Sequence, residues 1–237
     1  MTRTRAKKPT ERKPERKTER KSEATRRRLL ERALALFQKR GVDKTTMRDI
    51  ARAAKLSLGA AYYYFPSKDA LLFAYYEDNQ RAIDEVIAGV QGNVRERLGE
   101  IFHAKLDSIR PHRKMLASIL SHLVDPNDSL STFSPQNRAV RERAIAGFAR
   151  ALEGAVPPDA IPLVAHALWL FHLAAMLLFV SDNTPNQTRT HSLVNEALDL
   201  IVPLLPVLAT PMGRAMCERI ISALERAGIT LASESAR

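Results

Sequence analysis

The segment from Thr45 to Lys68, TTMRDIARAAKLSLGAAYYYFPSK, places signals for three helix starts within a short stretch of chain. Apolar residues recur at helical spacing from Met47 to Ala54, so that one face of a short helix is apolar. Thr46 followed three residues later by Asp49 has the pattern of a capping box, in which the two side chains satisfy free amides of the first turn. The first half of the segment therefore predicts a helix that begins at about Met47.

A second short helix is predicted directly after the first. Lys55-Leu56-Ser57 interrupts the apolar spacing, and Ser57 can cap a helix from Leu58 to Tyr64. Pro66 disfavours helical backbone at the residue before it, and Ser67 can cap a third helix. Two short helices joined by a tight turn are typical of a helix-turn-helix unit.

In such a unit the second helix lies in the major groove of DNA, with its N-terminal residues at the base edges. Leu58, Gly59 and Ala60 would then face bases, where they can contact thymine methyl groups but have no side-chain hydrogen bond to offer. The side chains predicted to make polar contacts to bases are Arg48, Tyr63 and Tyr64. The residues predicted to contact phosphates are Thr46, Tyr62 and Lys68, the last because its charge adds to the free amides of a helix start.

The three consecutive tyrosines have an alternative interpretation, in which they only pack helix against helix. Successive side chains on a helix point in different directions, so all three cannot face one core. This argument favours an exposed role for Tyr63 and Tyr64 more strongly than for Tyr62.

From about Glu31 to Leu72 the chain resembles the N-terminal DNA-binding domain of the TetR family of transcriptional repressors. The matching residues are Gly41, Thr46, Asp49-Ile50-Ala51, Ser57-Leu58-Gly59, Tyr62-Tyr63, Phe65, Ser67-Lys68 and Leu71. Family members commonly carry Thr-Leu where this chain has Ala60-Ala61, and often His where it has Tyr64, so the departures fall on the DNA-contacting surface. The resemblance implies a homodimer that pairs through its last two major helices, here at about 160–181 and 190–208, and an effector site in the helical body.

The net charge of +11 is concentrated at the N-terminus. Residues 1–28 hold 13 Lys or Arg and 4 Asp or Glu, which leaves a net charge of only +2 for the rest of the chain. Residues 1–22 lack large apolar side chains and are predicted to be disordered. Such a tail could lie along phosphates or in the minor groove; the alternatives are a solubilising tail or a misassigned start codon.

The rest of the chain predicts an all-α protein. A first helix runs from about Ser22 to Arg40, where Gly41 ends it, and a fourth runs from Lys68 to about Gly89. Helical spacing then recurs at about 94–108, 111–124, 136–155, 158–181, 189–208 and 213–227, and Pro203 and Pro206 should kink the penultimate helix or end it early. The predicted division is a basic tail at 1–22, a DNA-binding domain at 23–72, a helical effector-binding and dimerisation domain at 73–228, and a frayed end at 229–237.

The stretch from Ile161 to Val180 is long and apolar enough to resemble a membrane span. His166 and His172 argue against that interpretation, and a helix that is apolar nearly all round is more often buried between a core and a partner. We therefore expect it to be a core and interface helix.

The effector implied by the resemblance is expected to be apolar or amphipathic, because small-molecule sites are mostly apolar. Candidate lining residues, chosen from helical faces, are Phe102, Leu106, Phe148, Trp169 and His172. Trp169 and His172 are neighbours at i, i+3, and ordinary core packing is the alternative role for them.

The sequence predicts no enzyme, no metal site and no cofactor. It contains no Gly-rich phosphate loop, HExxH or GxSxG motif. His166 and His172 are six residues apart, about 120° around a helix, which makes a poor chelate.

Cys217 is the only cysteine, which fits a reducing cytosol, and no secretion signal follows the basic N-terminus. A cytoplasmic, nucleoid-associated protein is expected.

The leading functional hypothesis is a homodimeric repressor that binds a palindromic operator in double-stranded DNA and is released by a small-molecule effector. The main alternative is a constitutive or architectural DNA-binding protein without an effector, for which the basic tail supplies most of the affinity. A membrane-associated helical protein is the third possibility.

Overall fold

The computed structural model describes residues 13–125 and 127–226. Side-chain caps mark the starts of several helices in its N-terminal part. Those residues form eleven α-helices and contain no β-strand, so the prediction of an all-α protein is confirmed. The helices are α1 (Lys13–Arg40), α2 (Met47–Ala53), α3 (Leu58–Tyr64), α4 (Lys68–Gly89), α5 (Val94–Ile109), α6 (Arg113–Ser118), α7 (Leu120–Val124), α8 (Arg138–Leu152), α9 (Ile161–Ser181), α10 (Thr188–Ile201) and α11 (Pro211–Arg226). Short 3₁₀ segments cover Arg110–His112, Pro135–Asn137, Pro185–Gln187 and Val202–Ala209.

The helix starts lie where the capping residues predict them. The Asp49 amide donates to Thr46 Oγ1 at 3.2 Å while the Thr46 amide donates to Asp49 Oδ2 at 3.1 Å, which completes the capping box of α2. Ser57 Oγ accepts from the Ala60 amide at the start of α3 at 3.1 Å. Ser67 caps α4 in the same way. These side chains satisfy amides that would otherwise lack partners.

The start of α1 differs from the prediction. The helix begins at Lys13 and not near Ser22, so residues 13–22 are helical where disorder was expected. Lys, Arg and Glu are good helix formers, and a helix already anchored by buried Leu29 and Leu30 needs no second nucleation to extend backwards. The rest of the predicted tail, residues 1–12, and the predicted frayed end at 229–237 lie outside the described residues.

Prolines lie in several irregular segments of the body, although the break between α6 and α7 at Ile119 contains none. The helix expected at 111–124 is divided into the 3₁₀ segment Arg110–His112 and the short helices α6 and α7. Near the other end, α10 stops at Ile201 and a 3₁₀ segment follows, which confirms the interruption predicted from Pro203 and Pro206. A proline removes an amide donor and its ring crowds the preceding turn, so the α-helix cannot continue.

A single apolar core runs from the head, α1 to α3, into the body. The helix α4 belongs to both, because Leu71 and Leu72 are buried under the head while Ile83 and Ile87 are buried against the body. Polar contacts also join α1 to α6: the Met115 amide donates to Gln38 Oε1 at 3.0 Å. The orientation of the head is therefore coupled to both α4 and α6.

Candidate nucleic-acid interface and body cavity

The helix α3 is held by one buried residue and presents much of its length to solvent. Ala61 is fully buried, while Leu58 and Ala60 are half-buried and Gly59 is exposed. Tyr62 is 47% exposed and Tyr63 is 82% exposed. A tyrosine left this exposed on a short capped helix is available for contact with another molecule, because little of its ring is used in packing.

Tyr64 occupies a different environment from its two neighbours. It is half-buried against the core, its ring lies edge-on to Tyr63 with the centroids 5.2 Å apart, and Ser22 Oγ lies 3.5 Å from its hydroxyl. The packing interpretation of the tyrosines therefore describes Tyr64, while Tyr62 and Tyr63 remain outward.

The predicted residues of α2 lie at its exposed start. Arg48 is exposed, and Thr46 is exposed with its hydroxyl donating to Asp49 Oδ2 at 2.7 Å. The hydrogen bonds from Thr46 and the nearby guanidinium of Arg40, 3.1 Å away, lower the pKa of Asp49. Arg52 lies one turn after Arg48, is also exposed, and was not singled out by motif-based reasoning. The i, i+4 spacing of two arginines was the available signal.

Lys68 has a structural contact that its sequence position did not indicate. Its ammonium donates to the Val42 carbonyl oxygen at 2.9 Å and so ties the start of α4 to the turn between α1 and α2. One of its three donors is used in this way, and the others are available to an anion.

A cavity of about 130 Å³ lies in the body between α4, α5 and α6 on one side and α8 and α9 on the other. Most of its wall is apolar, from residues such as Leu116, Val140 and Met176. The polar and charged residues of the wall are Tyr75, Tyr76, Asn79, Gln80, Lys105, Thr132, Asn137, Arg141 and His172. The cavity is thus an apolar chamber with a limited set of polar groups, which is the usual character of a small-molecule site.

Two ionisable groups in the wall are strongly affected by burial. Burial lowers the pKa of Lys105 to about 8. Burial and, second, repulsion by Lys105 hold the pKa of His172 well below its usual range, so that the imidazole is neutral at pH 7. Within the described residues, no group of three or more His, Cys, Asp or Glu side chains is arranged to hold a metal ion.

Residues 29–75 match the model of the bacterial regulatory proteins of the tetR family. The chain is 34% identical over 113 residues to a probable acrEF/envCD operon repressor of Escherichia coli (strain K12), covering 45% of this chain and 51% of that protein. It is 36% identical over 95 residues to the HTH-type transcriptional repressor KstR2 of Mycobacterium tuberculosis (strain ATCC 25618 / H37Rv), covering 35% of this chain and 44% of the relative. Residues 29–75 belong to the tetR family of bacterial regulatory proteins.

Solved structures share the fold of this chain. It matches a TetR transcriptional regulator from Nitrosomonas europaea ATCC 19718 with a TM-score of 0.60 and 17% identity, over 74% of this chain and 96% of the other. The chain spans only about half the length of the curated relatives above, and the family model matches only residues 29–75. The body therefore shares a fold with the family, while its binding properties must be argued from its own residues.

The cavity wall contains two of the five predicted effector-contacting residues. Trp169 and His172 lie in the wall. Phe102, Leu106 and Phe148 do not, since all three are fully buried in the core, and the rings of Phe102 and Phe148 pack with their centroids 5.1 Å apart. Their helical faces point into the contact of α5 with α8, which sequence periodicity cannot distinguish from a cavity wall.

Proposed function

We propose that this TetR family protein is a homodimeric repressor that binds a palindromic operator through α3 and is released by a small-molecule effector bound in the body cavity. The observation that carries the proposal is the outward presentation of Tyr62 and Tyr63 on the second helix of a capped helix-turn-helix unit. In such units this helix enters the major groove, and tyrosine hydroxyls can hydrogen bond to base edges or phosphates.

The DNA contacts proposed are those of the exposed head residues. Gly59, with half-buried Leu58 and Ala60, would let the backbone approach the bases closely. The DNA backbone and the flanking bases would be contacted by Thr46, Arg48 and Lys68. The half-buried Tyr64 would add a contact through its exposed edge. Phosphate contacts of this kind position the protein, and α3 supplies the sequence preference.

Dimerisation is proposed through exposed leucines of α9, α10 and the 3₁₀ segment that follows. This leucine face consists of Leu170, Leu177, Leu178, Leu193, Leu200 and Leu204, and all six side chains are exposed in the single chain. Exposed apolar residues of this number on consecutive helices are a feature of interfaces. A two-fold axis through the leucine face would set two copies of α3 on one DNA duplex.

The helices that carry the leucine face are also apolar enough to resemble membrane-spanning segments. Two described stretches, Ile161–Ser181 and Pro185–Ala209, are long and apolar enough to cross a membrane when judged by length and composition alone. We assign their exposed leucines to the dimer interface, because the inner face of the first stretch carries Trp169, His172 and Phe179 into the core. The proposed place of action is at DNA in the cytoplasm, in the nucleoid.

Release would follow from the position of the cavity. Its wall includes Tyr75 and Tyr76 of α4 and Leu116 of α6, the two helices that hold the head. An effector that binds better to a conformation with displaced heads must lower operator affinity, and DNA must lower effector affinity by the same factor.

A constitutive DNA-binding protein without an effector is the alternative, and the basic start of α1 favours it. Residues 13–28 place Lys13, Arg16, Lys17, Arg20 and Lys21 on a helix that precedes the core of the head. If this segment supplied most of the affinity, binding would depend steeply on salt and little on sequence.

Selection of bound sequences from random duplex DNA by the full-length protein tests the proposal. Anisotropy titrations of the selected sequence should then be made at several salt concentrations, with the full chain and with a variant lacking residues 1–21. Enrichment of an inverted repeat that the shortened chain still prefers supports the repressor. Absence of any motif, with affinity that collapses in salt, would establish the alternative.

A further inference from the structure

The cavity contains a buried cation without an acidic partner in the wall. Lys105 is 5% exposed, and its ammonium donates one hydrogen bond, to Gln80 Oε1 at 3.3 Å. Its other close neighbour is the ring of Phe148, whose centroid is 5.8 Å from Nζ. No Asp or Glu belongs to the cavity wall within residues 13–125 and 127–226, whereas a second cation, Arg141, does.

The carboxylate that influences Lys105 is already paired with another cation. Asp84 raises the pKa of Lys105 against the larger lowering by burial. However, Asp84 Oδ2 accepts hydrogen bonds from Arg143, including one from Nε at 2.9 Å, and Asp84 Oδ1 accepts from Gln80 Nε2 at 2.7 Å. Arg143 also pairs with Glu77, so its charge is shared between two carboxylates. Asp84 reaches Lys105 only through Gln80, and among the described residues no carboxylate contacts the Lys105 ammonium directly.

Arg141, the second cation of the wall, is bound by backbone carbonyl oxygens. Its Nη1 donates to the Thr132 and Ser134 carbonyl oxygens at 2.8 and 3.2 Å. These contacts hold the segment that leads into α8, and they add a second positive charge to the wall. Both charged residues of the cavity wall are therefore cations.

The wall also contains buried polar atoms without hydrogen-bond partners among the described residues. They are the hydroxyls of Tyr75 and Tyr76, Asn137 Oδ1 and His172 Nδ1. Burial raises the pKa of both tyrosines, so the hydroxyls keep their protons and can donate. Tyr76 lies one turn before Gln80 on α4 and therefore on the side of α4 that faces Lys105. Buried polar atoms are normally satisfied, and four unpartnered ones around one chamber indicate a polar ligand group.

We infer that the effector is a small organic monoanion, a carboxylate with an apolar body, whose carboxylate pairs with Lys105 and accepts a hydrogen bond from Tyr76. The apolar body would lie against Trp169, Leu173 and Met176. Nη1 of Arg141 is engaged by two backbone carbonyl oxygens, so the Lys105 ammonium, which no carboxylate contacts directly, provides the main site for one negative charge. The inference rests on the proposed function only in taking this cavity as the effector site.

The experiment compares two carboxylates with their neutral primary amides: octanoate with octanamide, and 4-phenylbutyrate with 4-phenylbutyramide. Trp169 is the only tryptophan of the chain and lies in the cavity wall, so its fluorescence reports binding directly. At pH 7 at least one acid should bind about tenfold or more tightly than its amide, because a buried charge-assisted pair is lost in the amide. Equal affinity of acid and amide in both pairs, or no binding of either acid, would overturn the inference.

Two lysine variants of the full-length protein provide the matched control. Lys105→Met keeps the length of the side chain and removes the charge, so the preference for the acid should fall to about onefold. Lys114→Met removes an exposed lysine on α6 and should leave the preference unchanged. If Lys105→Met folds poorly, the affinities of acid and amide for the unaltered protein still test the inference.

Operator anisotropy separates this inference from the proposed function. An acid that binds in the fluorescence assay but leaves DNA affinity unchanged supports the anion site and contradicts effector-controlled release. An amide that releases DNA as well as its acid does supports release and overturns the anion site.

Discussion

At the scale of single residues, the head shows what local sequence can and cannot determine. Three consecutive tyrosines on a helix must point in three directions, so the sequence predicts that some are exposed. Which of them faces solvent depends on how α3 is seated against α2 and α1, tertiary contacts that spacing along α3 does not contain. Tyr64 proves to be the half-buried one, and Tyr63 the most exposed.

Tyr63→Ala should weaken binding to the selected operator by about tenfold or more, because a side chain at a base edge or phosphate typically contributes about 1–3 kcal/mol. Its free energy of unfolding should change by less than about 0.5 kcal/mol, since 82% of the residue is exposed. Anisotropy and urea denaturation measure the two quantities. Loss of affinity only in parallel with loss of stability would mean that Tyr63 is a packing residue.

Lys105 predicts a dependence of stability on pH. Burial lowers its pKa from 10.5 in the unfolded chain to about 8 in the folded protein, so between these values the unfolded state binds more protons. The cost of the buried charge is present below pH 8 and is relieved as pH rises towards 10.5, by an amount on the order of 3 kcal/mol.

Urea denaturation of the unaltered protein and of Lys105→Met between pH 7 and 10.5 checks this contribution. The difference in unfolding free energy between the two proteins should shift in favour of the unaltered protein as pH rises. A difference that stays constant across the range would show that Lys105 has an ordinary pKa in the folded state.

At the scale of helices, most starts were predictable and several breaks were not. Caps such as Ser57 and Ser67 act within one turn, so the sequence next to them is sufficient to predict α3 and α4. The division of the 111–124 region into two short helices depends on contacts with α1 and α9, such as the hydrogen bond from Met115 to Gln38. The backward extension of α1 depends on its anchoring by the core, which composition alone does not reveal.

Ser57→Ala should lower the free energy of unfolding by about 1 kcal/mol, because α3 loses the side chain that accepts from the Ala60 amide. Ser57→Thr is the matched control, since it keeps the hydroxyl and should lose only a few tenths of a kcal/mol. Thermal or urea denaturation measures both. Equal loss in the two variants would show that the cap contributes nothing to the stability of this helix.

At the scale of the whole molecule, the two features that concern regulation come from residues far apart in the chain. The cavity wall joins Tyr75, Lys105 and Trp169 from three helices, and only the assembled fold brings them together. Sequence periodicity marks a buried face without distinguishing a packed core from a cavity wall, so it could not separate Phe102 and Phe148, which lie in the core, from Trp169 in the wall. The leucine face, in contrast, was foreseeable from the apolar length of α9.

Leu200→Glu should convert the proposed dimer into a monomer at micromolar concentration. Leu200 is 73% exposed in the single chain, so the change costs little within one subunit but places two unpaired charges at a two-fold interface. Sedimentation analysis measures the mass. Tyr63→Glu, which adds the same charge to the head, should remain a dimer, and a Leu200→Glu protein that also stays dimeric would place the interface elsewhere.

The central claim is that two copies of α3 contact one duplex with two-fold symmetry, and one titration tests it most directly. The affinity of the full-length protein should be measured by anisotropy on the selected inverted repeat and on the same duplex with one half-site scrambled, at fixed salt concentration. We predict that scrambling one half-site weakens binding by about tenfold or more, since one set of base contacts is lost while the phosphate contacts remain. Equal affinity for the two duplexes would contradict the account.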